Sequence, residues 1–160
     1  MSLDYKKLIN FPIFGTVAYV YLDDDVTVST ATRTSWTLSA SYETEGTTKP
    51  TKTFRTAGWS KLNLDVLYTM GATESTNSIE LKIEGSPDGV NFYRIPNETV
   101  SGGTSTLTAR EFTFVGANAA AATISIGLDL FYNYVRVSAK ETGVVTNFGT
   151  VYCEATLAGL

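Results

Sequence analysis

Ile79-Glu80-Leu81-Lys82-Ile83-Glu84-Gly85-Ser86-Pro87-Asp88-Gly89-Val90-Asn91-Phe92-Tyr93 is the stretch on which the fold reading turns. Its first half alternates, with Ile79, Leu81 and Ile83 set against Glu80, Lys82 and Glu84. Successive side chains of a strand point to opposite faces, so this pattern is a strand with one face in a core and one in water. Asp88-Gly89 then falls between two apolar runs. Gly accepts the positive φ of a tight turn and Asp binds its own neighbouring backbone, so the chain is expected to reverse here. It returns through Phe92, Tyr93 and Ile95.

The same alternation recurs on both sides of this hairpin. Leu62, Leu64, Val66 and Tyr68 follow Phe54 and Gly58-Trp59, and the run from Tyr134 to Ala139 and the series Val151, Cys153, Ala155 and Leu157 close the chain. Thr123-Ile124-Ser125-Ile126 with Leu128, Leu130 and Phe131 reads as strand, as do Leu107, Phe112, Phe114 and Val115. Towards the N-terminus, Val17, Tyr19 and Tyr21 alternate with Ala18, Val20 and Leu22, an expected strand with two buried faces. Val26, Val28, Thr30 and Thr32 open another that is expected to run through Trp36, Leu38 and Ala40. Residues 42–52, 71–78, 96–103 and 116–122 read as loops, and Asp23-Asp24-Asp25, Glu141-Thr142-Gly143 and Thr146-Asn147 as turns. Helical periodicity is slight. The expectation is an all-β chain of about eight to ten antiparallel strands, forming a β-sandwich or a jelly-roll-like barrel.

With 160 residues the chain fits one domain. Leu8, Ile9, Phe11, Ile13 and Phe14 are apolar yet precede the regular alternation, so residues 1–14 read as an N-terminal arm and 15–160 as a single sandwich domain. Such an arm packs either on its own sandwich or on a neighbour. In the second case Leu8, Phe11, Ile13 and Phe14 are the partner-binding residues, because an exposed apolar patch marks an interaction site. Met1-Ser2-Leu3-Asp4-Tyr5-Lys6-Lys7 does not lead into an unbroken apolar run, since Asn10, Pro12, Gly15 and Thr16 interrupt the stretch from Leu8 to Tyr21. Neither a signal peptide nor a membrane span is expected.

Composition excludes more chemistry than it supports. The net charge is −4, and Lys and Arg stand singly apart from Lys6-Lys7, so the clustered basic face that nucleic acid or an anionic membrane needs is not expected. There is no histidine, which rules out Ser-His-Asp triads, Cys-His pairs and His-ligated zinc. The single Cys153 cannot form an intramolecular disulfide, and it reads as a small buried apolar residue. No glycine-rich phosphate loop is present. Carboxylates remain, because glycoside hydrolysis needs only a pair of them. The candidates are Glu80, Glu84, Asp65, Glu111 and Glu154, with Glu80 and Glu84 expected as solvated charges on a strand face. Asp23-Asp24-Asp25 lacks the Gly and closing Glu of a helix–loop–helix calcium loop and reads as a solvated turn. Trp59 is expected in the core, whereas Trp36 reads equally as core or as a sugar-stacking platform. No catalytic residue, cofactor or metal is expected.

The hairpin Ile83-Glu84-Gly85-Ser86-Pro87-Asp88-Gly89-Val90-Asn91-Phe92-Tyr93 resembles one common in small structural proteins of tailed bacteriophages, where a strand ends in Glu-x-Ser before Asp-Gly-x-Asn and an aromatic. Tyr134-Val135-Arg136-Val137-Ser138-Ala139-Lys140, then Gly143, then Gly149-Thr150-Val151, resembles the last strands of the same proteins. The resemblance spans residues 54–160 and is structural, so it carries over no binding residues. A hairpin of this kind also occurs in bacterial surface and carbohydrate-binding sandwiches. The resemblance implies a non-enzymatic capsid decoration (cement) protein that binds the major capsid protein lattice. Such a protein is often a trimer, is made in the host cytoplasm and resides on the capsid surface of the virion. The alternative that it implies is a carbohydrate-binding or host-adhesion module of a phage tail or bacterial surface.

Overall fold

The computed structural model describes residues 8–21, 28–95, 97–101, 104–108, 110–115, 121–144 and 146–159. The expected Asp23-Asp24-Asp25 turn, residues 1–7 and residues 116–120 lie outside them. The chain is an all-β antiparallel sandwich. Its strands are β1 (Leu8–Phe14), β2 (Thr16–Tyr21), β3 (Val28–Thr34), β4 (Trp36–Thr37), β5 (Thr51–Arg55), β6 (Lys61–Thr69) and β7 (Thr76–Ser86), followed by β8 (Tyr93–Arg94), β9 (Asn97–Ser101), β10 (Thr104–Thr108), β11 (Arg110–Val115), β12 (Ala121–Asp129), β13 (Tyr134–Thr142) and β14 (Thr150–Ala158).

One sheet runs β1-β14-β6-β12, with β4 also on β14, and the other runs β11-β7-β13-β5, with β8 also on β7. Their inner faces follow the sequence alternation. Leu62, Leu64, Val66 and Tyr68 of β6, with Val151, Cys153, Ala155 and Leu157 of β14, meet Ile79, Leu81 and Ile83 of β7 and Val135, Val137 and Ala139 of β13 in one buried cluster. Each large apolar side chain taken from water contributes about 1.5–3 kcal/mol, so this cluster is the main source of stability. Phe11 of β1 meets Phe54 of β5 edge-on at 5.4 Å, so these two sheet edges adjoin.

More strands form than the eight to ten expected, because both outer strands are interrupted. Phe14 pairs with Cys153 and Trp36 with Val151, so β1 and β4 are two halves of one edge strand beside β14. The ribbon β2–β3 is inserted between them, opposite Tyr152. In the other sheet, β8 pairs with Gly85 and Glu84, and β11 resumes at Leu81. There the ribbon β9–β10 is the insertion, and it replaces the expected loop at Asn97–Ser101. The expected run into Leu38 and Ala40 stops at Thr37.

Placement of Leu8–Phe14 settles the question that the sequence leaves open. These residues are a strand on β14, with Ile13 and Phe14 fully buried in the domain's own core. The expected boundary between an arm at 1–14 and a domain at 15–160 therefore falls inside one edge strand. The physical reason is that β14 has an unpaired side which Leu8–Phe14 satisfies, while Phe14 gains Trp36 as a neighbour at 6.4 Å.

Opposite the hairpin end, two buried acids fasten the connections. Glu141 is 0% exposed and accepts from the Tyr68 hydroxyl, from Asn77 Nδ2 at 2.9 Å and from the Gly149 N–H at 2.6 Å. Glu74 accepts from the N–H groups of Thr146 and Asn147 at 2.7 and 2.9 Å. Burial first, then the bond to Glu141, pushes the Tyr68 hydroxyl well above its ordinary value of 10.0, and burial with Glu154 does the same to Tyr152. A folded-state pKa raised in this way stabilises the fold below about pH 10 and loses that contribution as pH rises towards the shifted value. Phenolate absorbance is therefore expected to show Tyr68 and Tyr152 titrating only together with loss of the circular dichroism signal. Ionisation of all nine tyrosines near the ordinary value in a protein that stays folded would refute this.

Candidate functional site

At the hairpin end, the Asp88 carboxylate accepts from the Val90 and Asn91 N–H groups at 2.9 and 2.8 Å, from Asn91 Nδ2 and from the Ser86 hydroxyl. Those bonds, the backbone ones foremost, hold it well below the usual carboxylate range. Gly89 takes a φ of +78°, as the Asp-Gly reading requires. The turn so built thrusts Val90 into solvent at 78% exposure. The neighbouring connection from β12 to β13 is tied to it by Asn133 Nδ2 donating to the Pro87 carbonyl at 2.9 Å, and it presents Phe131 at 86% exposure. β1 begins at this same end, with Leu8 at 67% and Ile9 at 46% exposure, and so does β8, with Tyr93 exposed. Among the described residues, five of the six exposed large apolar side chains thus belong to one end of the sandwich, Phe148 being the exception. Scattered exposed apolar residues are ordinary, but concentration at one end marks an interaction surface.

Of the four residues expected to bind a partner, only Leu8 is on this surface. Phe11 is half-buried against Phe54, and Ile13 and Phe14 are core. The alternation of β1 ends in these two buried residues, and no partner reaches them in the folded state. Val90 and Phe131 are added by the structure. The sequence signal for Val90 is its place directly after Asp88-Gly89, at the tip of a hairpin.

The outer faces of the two sheets differ. On β7 and β13 the charges are matched and covered. Arg136 bonds Glu84 at 2.8 Å beneath Phe92, Lys140 reaches Glu80 at 3.4 Å, and Tyr42 donates to Glu80 while lying under Lys82 and Lys140. Glu80 and Glu84 are thus partly covered ion-pair members, where the sequence predicts freely solvated charges. For Glu80 the reason is that Tyr42, of the loop expected at residues 42–52, lies on this face, and for Glu84 it is Arg136 stacked on Phe92.

On the other sheet, β12, β6 and β14 align Ser125, Asp65 and Glu154 in one row and Thr123, Leu67 and Tyr152 in the next. Arg33 of β3 stands over the Tyr152 ring at 5.4 Å and 4.0 Å from Glu154. Together they line a groove of about 360 Å³. Residues directly opposite on neighbouring strands have Cβ atoms about 4.5–5.5 Å apart, so Asp65 and Glu154 are the one pair among the candidate carboxylates that the fold aligns with both side chains described. Asp65 accepts from the Ser125 hydroxyl at 2.8 Å and Glu154 from Tyr152 at 2.7 Å. The groove sets two carboxylates beside one guanidinium and three hydroxyls, so it carries both acceptors and donors for a polyhydroxyl ligand. Glu111 lies on β11, and its reading falls outside the side chains that the structure describes. No group of three or more potential metal ligands occurs among the described residues.

Cys153 is fully buried, and burial first, then Asp65 and Glu154, pushes its thiol far up, so it stays protonated. Trp59, expected in the core, is half-buried at its rim and packs against it. Trp36 is half-buried beside Phe14 and packs on the core, so the platform reading loses its exposed ring. No helix among the described residues is long and apolar enough to cross a membrane.

No family model matches the sequence, and no curated protein matches it. Among solved structures, the chain is similar to a protein from Bacillus endospore appendages, a family of disulfide-linked pili, at 12% identity and a TM-score of 0.34. That alignment covers 100% of this chain and 95% of the other, and at such a score the likeness carries no argument.

Proposed function

We propose that this chain is a non-enzymatic structural protein of a virus particle, a decoration (cement) protein that docks on the major capsid protein lattice of a tailed bacteriophage and stabilises it. It acts as a homo-oligomer, a trimer in the first instance, on the capsid surface. The single observation that carries this reading is the apolar end formed by Leu8, Ile9, Val90, Tyr93 and Phe131. It gives the sandwich one docking end in a chain of net acidic charge. The resemblance of the Ser86–Asn91 turn and of the closing strands to phage structural proteins supports the same reading.

The test is co-sedimentation with capsids that lack the protein, before and after expansion. Saturable binding to expanded particles is expected. Phe131→Asp and Val90→Asp are each expected to weaken it about tenfold or more, as for a central apolar anchor. Both side chains stand in solvent, so the fold survives the change. Wild-type binding by both variants would remove the apolar end from the mechanism, and no binding by the wild type would remove the capsid.

The groove of Arg33, Asp65, Thr123, Ser125 and Glu154 favours a second reading, a carbohydrate-binding or host-adhesion module. Glycan-array binding that is lost in Asp65→Ala and Ser125→Ala would support it, and a blank array would end it.

A further inference from the structure

Several features of this fold have no strand partner within the described chain, the ribbon β9–β10 among them, and two of them complement each other. One is the ribbon β2–β3, which pairs with no other strand. The other is the outer side of β12, the last strand of its sheet. We propose that the ribbon of one copy adds to the β12 edge of the next, so that copies join head to tail by strand pairing. This deepens the reading of the chain as an assembling protein and rests on it.

A two-stranded ribbon standing alone is at best marginally stable in water. The first strand of this one, Thr16-Val17-Ala18-Tyr19-Val20-Tyr21, carries no charge, which is not the composition of a hairpin meant for solvent. Exposed sheet edges are normally guarded by charge, proline, bulges or shortness. The other outer strands of the two large sheets are guarded so: β1 has Pro12 and an irregular register next to it, β4 has two residues, β5 has five residues with Lys52 and Arg55, and β8 and β11 carry Arg94 and Arg110. β12 runs nine residues, Ala121–Asp129, with no proline and no charge before Asp129. It is therefore an edge built to accept a strand.

The occupant is a second copy because one chain carries both halves of the contact at opposite ends of one sheet. The ribbon is rooted in the β1–β4 edge, and β12 is the far edge. A contact between unlike patches repeats from copy to copy and closes into a ring when the rotation allows. β2 carries no charge and β12 carries only Asp129, so their pairing sets no like charges against each other.

The test uses complementation. Removing residues 15–34 leaves Phe14-Ser35-Trp36 opposite Cys153-Tyr152-Val151, so the edge strand runs on without the ribbon. N–H groups alternate sides along a strand, so one of Thr123→Pro and Ile124→Pro removes an outward N–H and leaves the β6 ladder intact. The one that keeps the wild-type circular dichroism spectrum is used. By size exclusion with light scattering, the wild type is expected as an oligomer and each variant as a monomer. Mixed, the two monomers are expected to form a one-to-one dimer, since one keeps β12 and the other keeps the ribbon. A monomeric wild type, an oligomeric ribbon deletion or a mixture that stays monomeric would each overturn the proposal. Successful complementation without capsid co-sedimentation would overturn only the capsid reading.

Discussion

Replacing Glu141 by leucine is expected to destabilise the fold by about 3–5 kcal/mol, the range of a buried network broken at its hub. The carboxylate is 0% exposed and serves three donors, Tyr68 Oη, Asn77 Nδ2 and the Gly149 N–H. Leucine fills the volume but accepts nothing, and a buried donor that loses its acceptor costs about 1–3 kcal/mol. Glu141→Gln keeps one acceptor oxygen and sets an amide against one of the former donors, so a smaller loss, about 1–3 kcal/mol, is expected. Urea denaturation checks both. A midpoint for Glu141→Leu within error of the wild type would mean that the network adds nothing to stability.

Gly15→Ala is expected to cost about 2–4 kcal/mol and to lower Tm by roughly 5–15 °C. Two effects add. Gly15 has a φ of +88°, which an L side chain resists. A Cβ there would also overlap the Thr34 carbonyl oxygen and come within 2.7 Å of the Tyr152 ring. The backbone oxygen cannot rotate away, so the ribbon must shift from its root. Gly89→Ala is the comparison. Its φ is +78°, but the nearest atoms are those of Tyr134 at 3.3 Å. Only the backbone effect applies fully there, about 1–2 kcal/mol. Thermal melts by circular dichroism separate the two, and equal losses would show that the crowding at Gly15 has no consequence.

These two residues also show how far the sequence can be read. In the sequence, Gly15 is visible only as an interruption in an apolar run. That it is the hinge where an edge strand halts and a ribbon leaves depends on Phe14 and Trp36 both reaching β14, more than a hundred residues later in the chain. Glu141 is expected with Thr142 and Gly143 as turn material, yet it is the last inward residue of β13. Its signal is phase: Val135, Val137, Ala139 and Glu141 fall two apart on one face. Tyr68 and Asn77 continue the inward phases of β6 and β7 in the same way. The polar cluster is therefore legible by parity and is hidden by the habit of placing acids in water. The candidate surface is less legible. Leu8 stands out in the sequence as an apolar residue free to meet a neighbour, while Phe131 reads as part of a strand and Val90 as part of a turn.

By itself, the sequence determined that the chain is all-β and antiparallel, a sandwich or a jelly-roll-like barrel, which residues of β6, β7, β13 and β14 face inward, and where the Asp88-Gly89 reversal falls. Those properties depend on residues one and two apart, because a strand's faces alternate with a period of two. Only the tertiary structure decided that the fold is a sandwich, that Leu8–Phe14 belongs to the core sheet, that two ribbons interrupt the outer strands, that Asp65 stands opposite Glu154, and that β12 has no partner on its outer side among the described residues. Each of these depends on which distant strand supplies the hydrogen bonds along an edge. An edge strand and an inserted ribbon show the same local alternation, so that choice is made only when the whole sheet closes.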